Sequence, residues 1–431
     1  MIRMGVVADD ITGSNDIGIM FAKAEYRTRV YNFEKPGDFL GQHQSSEIPE
    51  IAILNTNSRL DDEQTAYQKV YDATRELKNA ECEQFHNKTC SVFRGNIGAE
   101  FDAMLDALDK SFAVVVLGFP KNGRTTINGV HHVRGVPLQE SEFRNDPVHP
   151  MRESNLVDIL QKQTERRVGL ITHEIVSRGA VAIRQALNVA RTNLNYVILD
   201  VIDQRALAMI AEAVADEAVI CGSSAIAEEL PTVWNDALPE TGPLQLSRHD
   251  VLGILCAAGS LMPQTAAQIA HMRQQGAAII TLDTLALFDQ DRDALVADYT
   301  SKIVQAMMAG RDVVFHSANE PEQVAATRRR AQERGYPPNQ AARLVSSTIA
   351  EVVGCALERT GQNRLLIAGG ETSDAVCRRL NVNSLQIHKE IQPGLPSCFS
   401  LTDPPLLLVL KSGSFGSPDF FEQALNHLRT A

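Results

Sequence analysis

Short apolar runs rich in β-branched residues alternate along the chain with longer segments whose apolar positions recur at helical spacing. In the first half, the strand-like runs are 4–8, 51–55, 112–119, 168–172, 196–201 and 218–221. The segments with amphipathic helical patterns are 62–80, 97–109, 178–192 and 204–216. Strands that alternate with helices in this way favour a largely parallel sheet covered by helices.

The alternation stops at about 231–249, where prolines and a glycine without periodicity are typical of a linker. It resumes with strand-like runs from Val251 and at 277–282, 312–316, 364–368 and 406–410, and with helical patterns at 262–275, 293–309, 340–359 and 418–429. The 431 residues suffice for two domains of roughly 100–200 residues each. We therefore predict two α/β domains, 1–232 and 250–431, joined by a linker at 233–249.

Composition and charge exclude several classes of protein. The net charge of −12 argues against a nucleic-acid partner, because such proteins usually present a basic face. No apolar run approaches the ~20 residues of a membrane span, and Asp9 and Asp10 interrupt the first apolar stretch too early for a signal peptide. The seven scattered cysteines form no Cys-x-x-Cys motif, which favours reduced thiols in a cytoplasmic protein.

The first strand ends in two adjacent carboxylates, Asp9 and Asp10, and a third, Asp16, follows within one short segment. Acidic residues between a strand and a helix lie where open α/β sheets bind ligands. The alternative is that Asp10 or Ser14 only caps the next helix. A cap needs one such residue, so the presence of several favours a ligand site.

Cations accompany these carboxylates in the first half of the chain. Arg59 closes a polar cluster after the strand at 51–55, and Lys88 and Arg94 lie in the polar segment 86–96. All three are candidate ligands of a substrate carboxylate. Arginine binds a carboxylate through two parallel hydrogen bonds, and lysine attracts it as a point charge. Solvated surface charges remain the alternative. The segment 121–150 has no helical pattern and is either a hairpin excursion or a mobile loop over a site.

Three strands of the second half end in glycine-containing turns. These are Leu255-Cys-Ala-Ala-Gly-Ser260, the segment 365–373 with Gly369-Gly370, and the segment 406–416 with Lys411-Ser-Gly413. Glycine allows close backbone approach, and free N–H groups at a helix start attract phosphate. Three such turns favour a phosphate or nucleotide site, with Thr372 or Ser373 able to cap the following helix. Lys411 is left open between a phosphate ligand and a solvated charge.

Other motifs are absent from the sequence. It contains no P-loop, no Gly-x-Gly-x-x-Gly after a strand and no Gly-x-Ser-x-Gly elbow, so a dinucleotide-binding enzyme and a hydrolase of that type are disfavoured. The eleven histidines show no metal-ligand spacing, and no metal-binding residue is predicted. His131 and His132 are interpreted as loop residues or a local pair.

Four motifs, at 8–13, 88–96, 369–373 and 411–416, resemble in sequence and order those of the four-carbon acid sugar kinases, over nearly the whole chain. The resemblance implies a sugar-acid-binding N-terminal domain, an ATP-binding C-terminal domain, an active site in the cleft between them, and phosphorylation of a 4-hydroxyl. It implies Mg²⁺ on the ATP oxygens. Where the family often has an aspartate, this chain has Cys90.

The resemblance also assigns residues. It implies Asp9 and Asp10 as catalytic carboxylates, and Asp9, Arg59, Lys88, Ser91 and Arg94 at the sugar-acid site. It places Ser260, Gly369, Gly370, Glu371, Thr372, Ser373, Gly413 and Gly416 at the nucleotide site. The opening segment is most similar to the D-threonate branch. D-erythronate, 3-oxo-tetronate, a non-catalytic sensor of nucleotide and sugar acid, and a homodimeric state all stay open.

Overall fold

A computed structural model describes residues 2–43, 48–146, 148–234, 252–318 and 320–431. The chain divides into two compact units, Met1–Thr241 and Gly242–Ala431. Each unit is a mainly parallel sheet with helices, which confirms the predicted α/β class. The predicted linker at 233–249 lies, apart from its first two residues, outside the described residues, so its limits stay predictions.

The first unit is built on a parallel sheet in the order β2-β3-β1-β4-β11-β5-β10-β9. Its strands are β1 (Met4–Ala8), β2 (Thr28–Asn32), β3 (Ile51–Asn55), β4 (Gln84–Lys88), β5 (Ala113–Val116), β6 (Arg124–Ile127), β7 (Val130–Val133), β8 (Val136–Pro137), β9 (Val168–Ile171), β10 (Tyr196–Leu199) and β11 (Val219–Gly222). Its helices are α1 (Ile11–Ala22), α2 (Asp38–His43), α3 (Glu63–Asn79), α4 (Ile97–Leu108), α5 (Leu156–Gln161), α6 (His173–Val176), α7 (Ala180–Ala190), α8 (Gln204–Val214) and α9 (Ile226–Glu229).

The strand order of the first unit reverses direction between β1 and β4. The chain leaves β1 towards β2 on one side of the sheet and leaves β4 towards β5 on the other. Such a switch point opens a crevice at the carboxyl ends of the strands, where ligands bind. Because Ala8 pairs with both Asn55 and Lys88, the polar residues that follow β1 and β3 and end β4 lie side by side there.

The segment 121–150 contains a hairpin, which was one of the two alternatives predicted for it. The strands β6, β7 and β8 form a small antiparallel sheet. Asn128 and Gly129 turn the chain with φ of 51° and 78°, the positive values that a tight hairpin turn needs. The buried carboxylate of Asp200 accepts hydrogen bonds from both of their N–H groups, at 2.6 and 2.9 Å. The turn is therefore anchored to the parallel sheet.

The second unit has the strand order β13-β14-β12-β15-β18-β17-β16. Its strands are β12 (Leu255–Ala258), β13 (Ala278–Leu282), β14 (Val313–Ser317), β15 (Arg364–Ala368), β16 (Ser384–Gln392), β17 (Leu395–Ser400) and β18 (Leu407–Lys411). Its helices are α10 (Pro263–Gln274), α11 (Arg292–Met308), α12 (Pro321–Glu333), α13 (Pro338–Thr360), α14 (Gly370–Arg379) and α15 (Phe420–Thr430). The five strands β13, β14, β12, β15 and β18 are parallel to their neighbours. Strand β17 pairs antiparallel with β18, and β16 pairs antiparallel with β17.

A second switch point lies between β12 and β15, from which the chain again departs in opposite directions. Ala368 pairs with Ala258 on one side and with Lys411 on the other. The three glycine-containing turns therefore leave the sheet next to one another. Within the described part of the chain, no helix combines the length and the apolar character that a membrane span needs.

Candidate active site

Arg59 joins the two opening carboxylates of the first unit. Its Nε donates to Asp9 Oδ2 at 2.8 Å, its Nη2 donates to Asp9 Oδ1 at 2.7 Å, and its Nη1 donates to Asp10 Oδ2. Asp9 is only 1% exposed, so the pairing replaces the water that its charge would otherwise need. Arg59, predicted as a substrate clamp, is in this structure the counter-ion of the carboxylate pair.

Asp10 also caps helix α1. Its Oδ1 accepts from the Gly13 N–H at 2.6 Å and its Oδ2 accepts from the Thr12 hydroxyl at 3.0 Å. Burial disfavours the charged carboxylate, but Arg59, Lys88 and the Gly13 N–H outweigh it and lower the pKa of Asp10 below its ordinary value. The capping alternative is therefore right for Asp10, although the same residue belongs to the charged cluster. Asp9 takes no part in the cap.

Lys88 and Asp16 form the second ion pair of the cluster, with 3.6 Å between Lys88 Nζ and Asp16 Oδ2. Ser224, just after β11, donates to the same oxygen at 2.7 Å, while the buried Oδ1 has no hydrogen-bond partner. Burial raises the pKa of Asp16 to about 6, although Lys88 and Ser224 oppose that change. Asp16 was noted in the opening cluster without a role, and its i+4 spacing from Thr12 places it on the same face of α1.

Glu100 of α4 is a buried carboxyl group that the sequence analysis missed. It is 1% exposed, and its Oε1 accepts from the Ser58 hydroxyl at 2.7 Å. Burial and the nearby charge of Asp9 raise the pKa of Glu100 to about 8, so the group is mainly protonated at pH 7. A glutamate on a helix ordinarily faces solvent, so its sequence context carries no signal of this role.

Arg94 donates hydrogen bonds to two side chains of its own unit. Its Nη1 donates to Asp146 Oδ2 at 2.7 Å, and its Nε donates to Cys90 Sγ at 3.3 Å. Burial disfavours the thiolate of Cys90, but the charges of Arg94 and Arg59 outweigh it and lower the pKa of the thiol. Cys90 thus lies in the field of two guanidinium groups, at the position where the resembled family often has an aspartate.

Ser91 is tied to the hairpin through its backbone. Its carbonyl accepts from His131 Nε2 at 2.9 Å, and His131 Nδ1 then accepts from the Thr126 hydroxyl at 3.0 Å. Burial lowers the pKa of His131 to about 3, so the ring is neutral with its proton on Nε2. The pair of hydrogen bonds fixes segment 90–94 against the hairpin.

In the second unit, the structure brings the three predicted glycine turns together. A Cβ atom at Gly413 would clash with Ser260 Oγ, and one at Gly369 would lie 3.2 Å from the Ser260 backbone nitrogen. Gly369 has φ of +118°, a backbone conformation that would be strained for any residue with a side chain. Gly416, with φ of +85°, lies against the Gln268 side chain, which donates to the Phe415 carbonyl at 3.1 Å.

Helix α14 begins at Gly370, and its N-cap is Gly369 without a side-chain cap. The expectation that Thr372 or Ser373 caps this helix is wrong, because both lie inside its first turn. The first N–H groups of a helix lack intrahelical partners and favour an anion. The turn therefore presents the N–H groups near Gly370 and Glu371, as a phosphate site requires.

Glu371 is the carboxylate of this second site. Its Oε1 is buried without a hydrogen-bond partner, and burial raises the pKa of Glu371 to about 7, against the charge of Arg343. In the described ranges, no three His, Cys, Asp or Glu side chains are grouped to hold a metal. A Mg²⁺ ion bound mainly by phosphate oxygens and waters needs only one or two protein carboxylates, and Glu371 fits that need.

Two family models match the chain, a sugar-binding N-terminal domain over residues 4–230 and a nucleotide-binding C-terminal domain over residues 255–421. A 3-oxo-tetronate kinase of Cupriavidus necator is 34% identical, over 99% of this chain and 97% of the relative. One of Pectobacterium atrosepticum is 31% identical, over 98% and 99%.

Two solved structures are similar over the same extent. A protein of Salmonella typhimurium LT2 matches with a TM-score of 0.79 and 28% identity, covering 98% of this chain and 99% of the other. A Haemophilus influenzae protein matches with a TM-score of 0.68 and 28% identity, covering 98% and 100%. The chain therefore belongs to the four-carbon acid sugar kinase family, a family of ATP-dependent sugar-acid kinases.

Proposed function

We propose that this chain transfers the γ-phosphoryl group of ATP to the 4-hydroxyl of a four-carbon sugar acid, and that 3-oxo-tetronate is the acceptor. The observation that carries the acceptor is full-length similarity to relatives named 3-oxo-tetronate kinase, at up to 34% identity. D-threonate is the second candidate, favoured by the opening segment of the chain, and it stays a prediction.

Asp9 is the proposed base of the reaction. Each of its oxygens accepts one hydrogen bond from Arg59, which leaves a second lone pair on each for a substrate hydroxyl. Asp10 accepts three hydrogen bonds, from the Thr12 hydroxyl and Arg59 at Oδ2 and from the Gly13 N–H at Oδ1, and so has only one lone pair left. Asp9 would orient the 4-hydroxyl and accept its proton as it attacks the γ-phosphorus, which is general base catalysis.

The carboxylate of the acid needs a cation, and Lys88 is the cation that the structure leaves most available. Its ion pair with Asp16 spans 3.6 Å and its Nζ donates to the neutral Thr89 carbonyl at 3.1 Å, whereas Arg59 and Arg94 approach the carboxylates of Asp9 and Asp146 within 2.7 Å. Lys88 can therefore turn to a substrate carboxylate at the smallest loss of existing contact. Arg59 and Arg94 would complete the positive surroundings.

The nucleotide site would hold ATP through backbone groups. The N–H groups of the turns at 369–373 and 413–416 suit phosphate oxygens, and glycine at Gly369 and Gly413 keeps that approach open. Glu371 would hold Mg²⁺, which supplies neutralisation of phosphate charge when bound. In phosphoryl transfer the protein mainly positions the groups and balances their charge, and these residues suit that task.

A panel of acceptors tests the substrate. We expect ADP release with 3-oxo-tetronates, D- and L-threonate, and D- and L-erythronate to show one acceptor preferred by at least about 100-fold in kcat/KM, because a site that hydrogen-bonds a C3 oxygen distinguishes a carbonyl from a hydroxyl. A preference for D-threonate would contradict the 3-oxo-tetronate proposal and leave the kinase proposal intact. Binding of ATP and acid without ADP release would instead favour the sensor.

Glu100→Gln is expected to change the pH dependence rather than the activity at pH 7. Above pH about 8, wild-type Glu100 ionises beside Asp9 and the added negative charge should raise KM for the anionic acceptor. The variant lacks this charge, so its KM should stay level to pH 9. Steady-state KM values at pH 7 and pH 9 measure the difference, with Glu212→Gln on the surface of α8 as the matched control.

The same substitution has a stability signature whose sign follows from linkage. The pKa of Glu100 is near 4.3 in the unfolded chain and about 8 in the folded protein. Between about pH 4.3 and about pH 8, the folded state therefore binds one more proton than the unfolded state. Stability should therefore fall as pH rises through that window, and Glu100→Gln should reduce the slope. An unchanged slope in urea unfolding would show that Glu100 is ionised at neutral pH.

A further inference from the structure

Lys411 ends strand β18 and lies beneath the glycine turn that follows it. Its side chain is fully buried, which rules out the solvated charge that the sequence left open. Its Nζ donates to the Gly413 carbonyl at 2.9 Å and to the Thr265 hydroxyl at 3.1 Å. Thr265 Oγ1 also donates to the Gly413 carbonyl, at 3.1 Å. Lysine, helix α10 and the turn are thus joined through Gly413.

No carboxylate among the described residues lies within ion-pair distance of Lys411, so both of its partners are neutral oxygens. The groups that face it are the Thr265 hydroxyl from α10, the Phe421 ring from α15, 6.0 Å from Nζ, and the Cys256 thiol from β12. Burial raises the pKa of Cys256 well above its ordinary value, so that thiol is neutral.

A buried ammonium without a counter-ion is unstable relative to the neutral amine. Burial accordingly lowers the pKa of Lys411 to about 7. An anion that binds at the turn above would reverse the balance, because a nearby negative charge favours the protonated form. An ammonium has three donors, and the two protein oxygens occupy two of them.

We propose that Lys411 is the buried cation of the nucleotide site: binding of ATP phosphates drives transfer of one proton from solvent to its amine, and the ammonium then holds the 412–416 turn in position. The proposal rests on the proposed nucleotide site of this unit. Lys411 is a positioning residue, because it acts on phosphate through the turn that Gly413 belongs to. ATP affinity should accordingly weaken as pH rises above 7.

Proton uptake can be measured directly on the whole protein. Titration calorimetry of MgATP at pH 8, in two buffers of different ionisation enthalpy, should show uptake of most of one proton. At this pH a phosphate with a pKa near 6 and the Glu371 carboxyl are both already ionised. At pH 6 the uptake by Lys411 should nearly vanish, because the amine is already protonated, and protons released by the Glu371 carboxyl and the phosphate should turn the net change into release.

Variants separate the charge from the packing. Lys411→Met should abolish the uptake at pH 8 and raise KM for ATP by about 10- to 100-fold, the size of one charged hydrogen bond, while KM for the acid stays unchanged. Lys411→Arg is charged at all these pH values, so it should recover ATP binding without proton uptake. Lys302→Met, an exposed lysine of α11, is the control and should keep the wild-type uptake.

Binding of MgATP and uptake of a proton are measured separately, so failure of the Lys411 proposal differs from failure of the proposed nucleotide site. If wild-type protein binds MgATP at pH 8 without proton uptake, Lys411 is not the coupled group and the proposal is overturned, although the nucleotide site stands. If Lys411→Met retains the uptake, the proton goes elsewhere and the proposal is likewise overturned. If MgATP does not bind the wild-type protein at all, the proposed nucleotide site itself fails.

Discussion

Asp9→Asn is expected to lower kcat by about 10²- to 10⁴-fold, the range of general base catalysis. Asparagine keeps the size of the side chain but cannot accept the proton of the 4-hydroxyl. Arg59 donates to both oxygens of Asp9, and an asparagine oxygen can accept only one of these two hydrogen bonds, so urea unfolding of the variant should accompany the kinetics. KM for the acceptor should change less than kcat, because the proton moves only in the transition state.

The comparison that decides between the two carboxylates is Asp9→Asn against Asp10→Asn, by steady-state ADP release. Asp203→Asn is the matched control, since Asp203 caps α8 by accepting from the Ala206 N–H at 2.8 Å and lies outside the cluster. Loss of turnover in Asp10→Asn with full activity in Asp9→Asn would exchange the roles of the two residues. Normal turnover in both would show that the catalytic site lies elsewhere.

Arg59→Leu is expected to destabilise the first unit by about 3–5 kcal/mol, because it leaves two buried carboxylates without their counter-ion. The effect should depend on pH. The pKa of Asp10 is lower in the folded protein than in the unfolded chain, where it is near 3.9. The stability that ionised Asp10 contributes is therefore fully present above about pH 3.9, and it is lost as the pH falls through the pKa of the folded state. In the variant, protonation of the carboxylates relieves the repulsion, and the loss should shrink towards pH 4.

Urea unfolding at pH 7 and pH 4.5 measures that loss. Arg191→Leu removes the surface pair with Glu217 and should cost less than about 1 kcal/mol. The double variant Arg59→Leu with Asp9→Asn should recover part of the stability, because one of the stranded charges is gone. Equal losses in Arg59→Leu and Arg191→Leu would contradict the view that Arg59 neutralises the pair.

The parts of the fold that sequence patterns predicted are those with local causes. The apolar run at β1 is short and rich in β-branched residues, and Asp10 after it is a residue type that begins helices. The turns at Gly369 and Gly413 were predicted because glycine at a strand end adopts backbone conformations, and allows close approaches, that other residues do not. Family membership followed from the order of such short motifs along the chain.

The parts that escaped prediction depend on contacts between residues distant in sequence. Glu100 becomes a neutral acid only because folding buries it near Asp9, and no local pattern announces that. The hairpin turn at Asn128-Gly129 did carry a local signal, because an Asn-Gly pair between two runs of strand-forming residues is typical of a tight hairpin turn. The antiparallel strands β16 and β17 were not predicted, because polar residues interrupt their apolar pattern.

The internal pairing of Arg59, Lys88 and Arg94 has a consequence for the speed of substrate capture. Each cation is matched by a carboxylate of the same unit, and the whole chain carries a net charge of −12. Beyond the Debye length of about 8 Å in physiological salt, such a surface offers a singly charged acid no attraction. If these cations bind the acid as proposed, we expect the encounter to depend on unaided diffusion, and the choice among acids to depend on contacts made at short range.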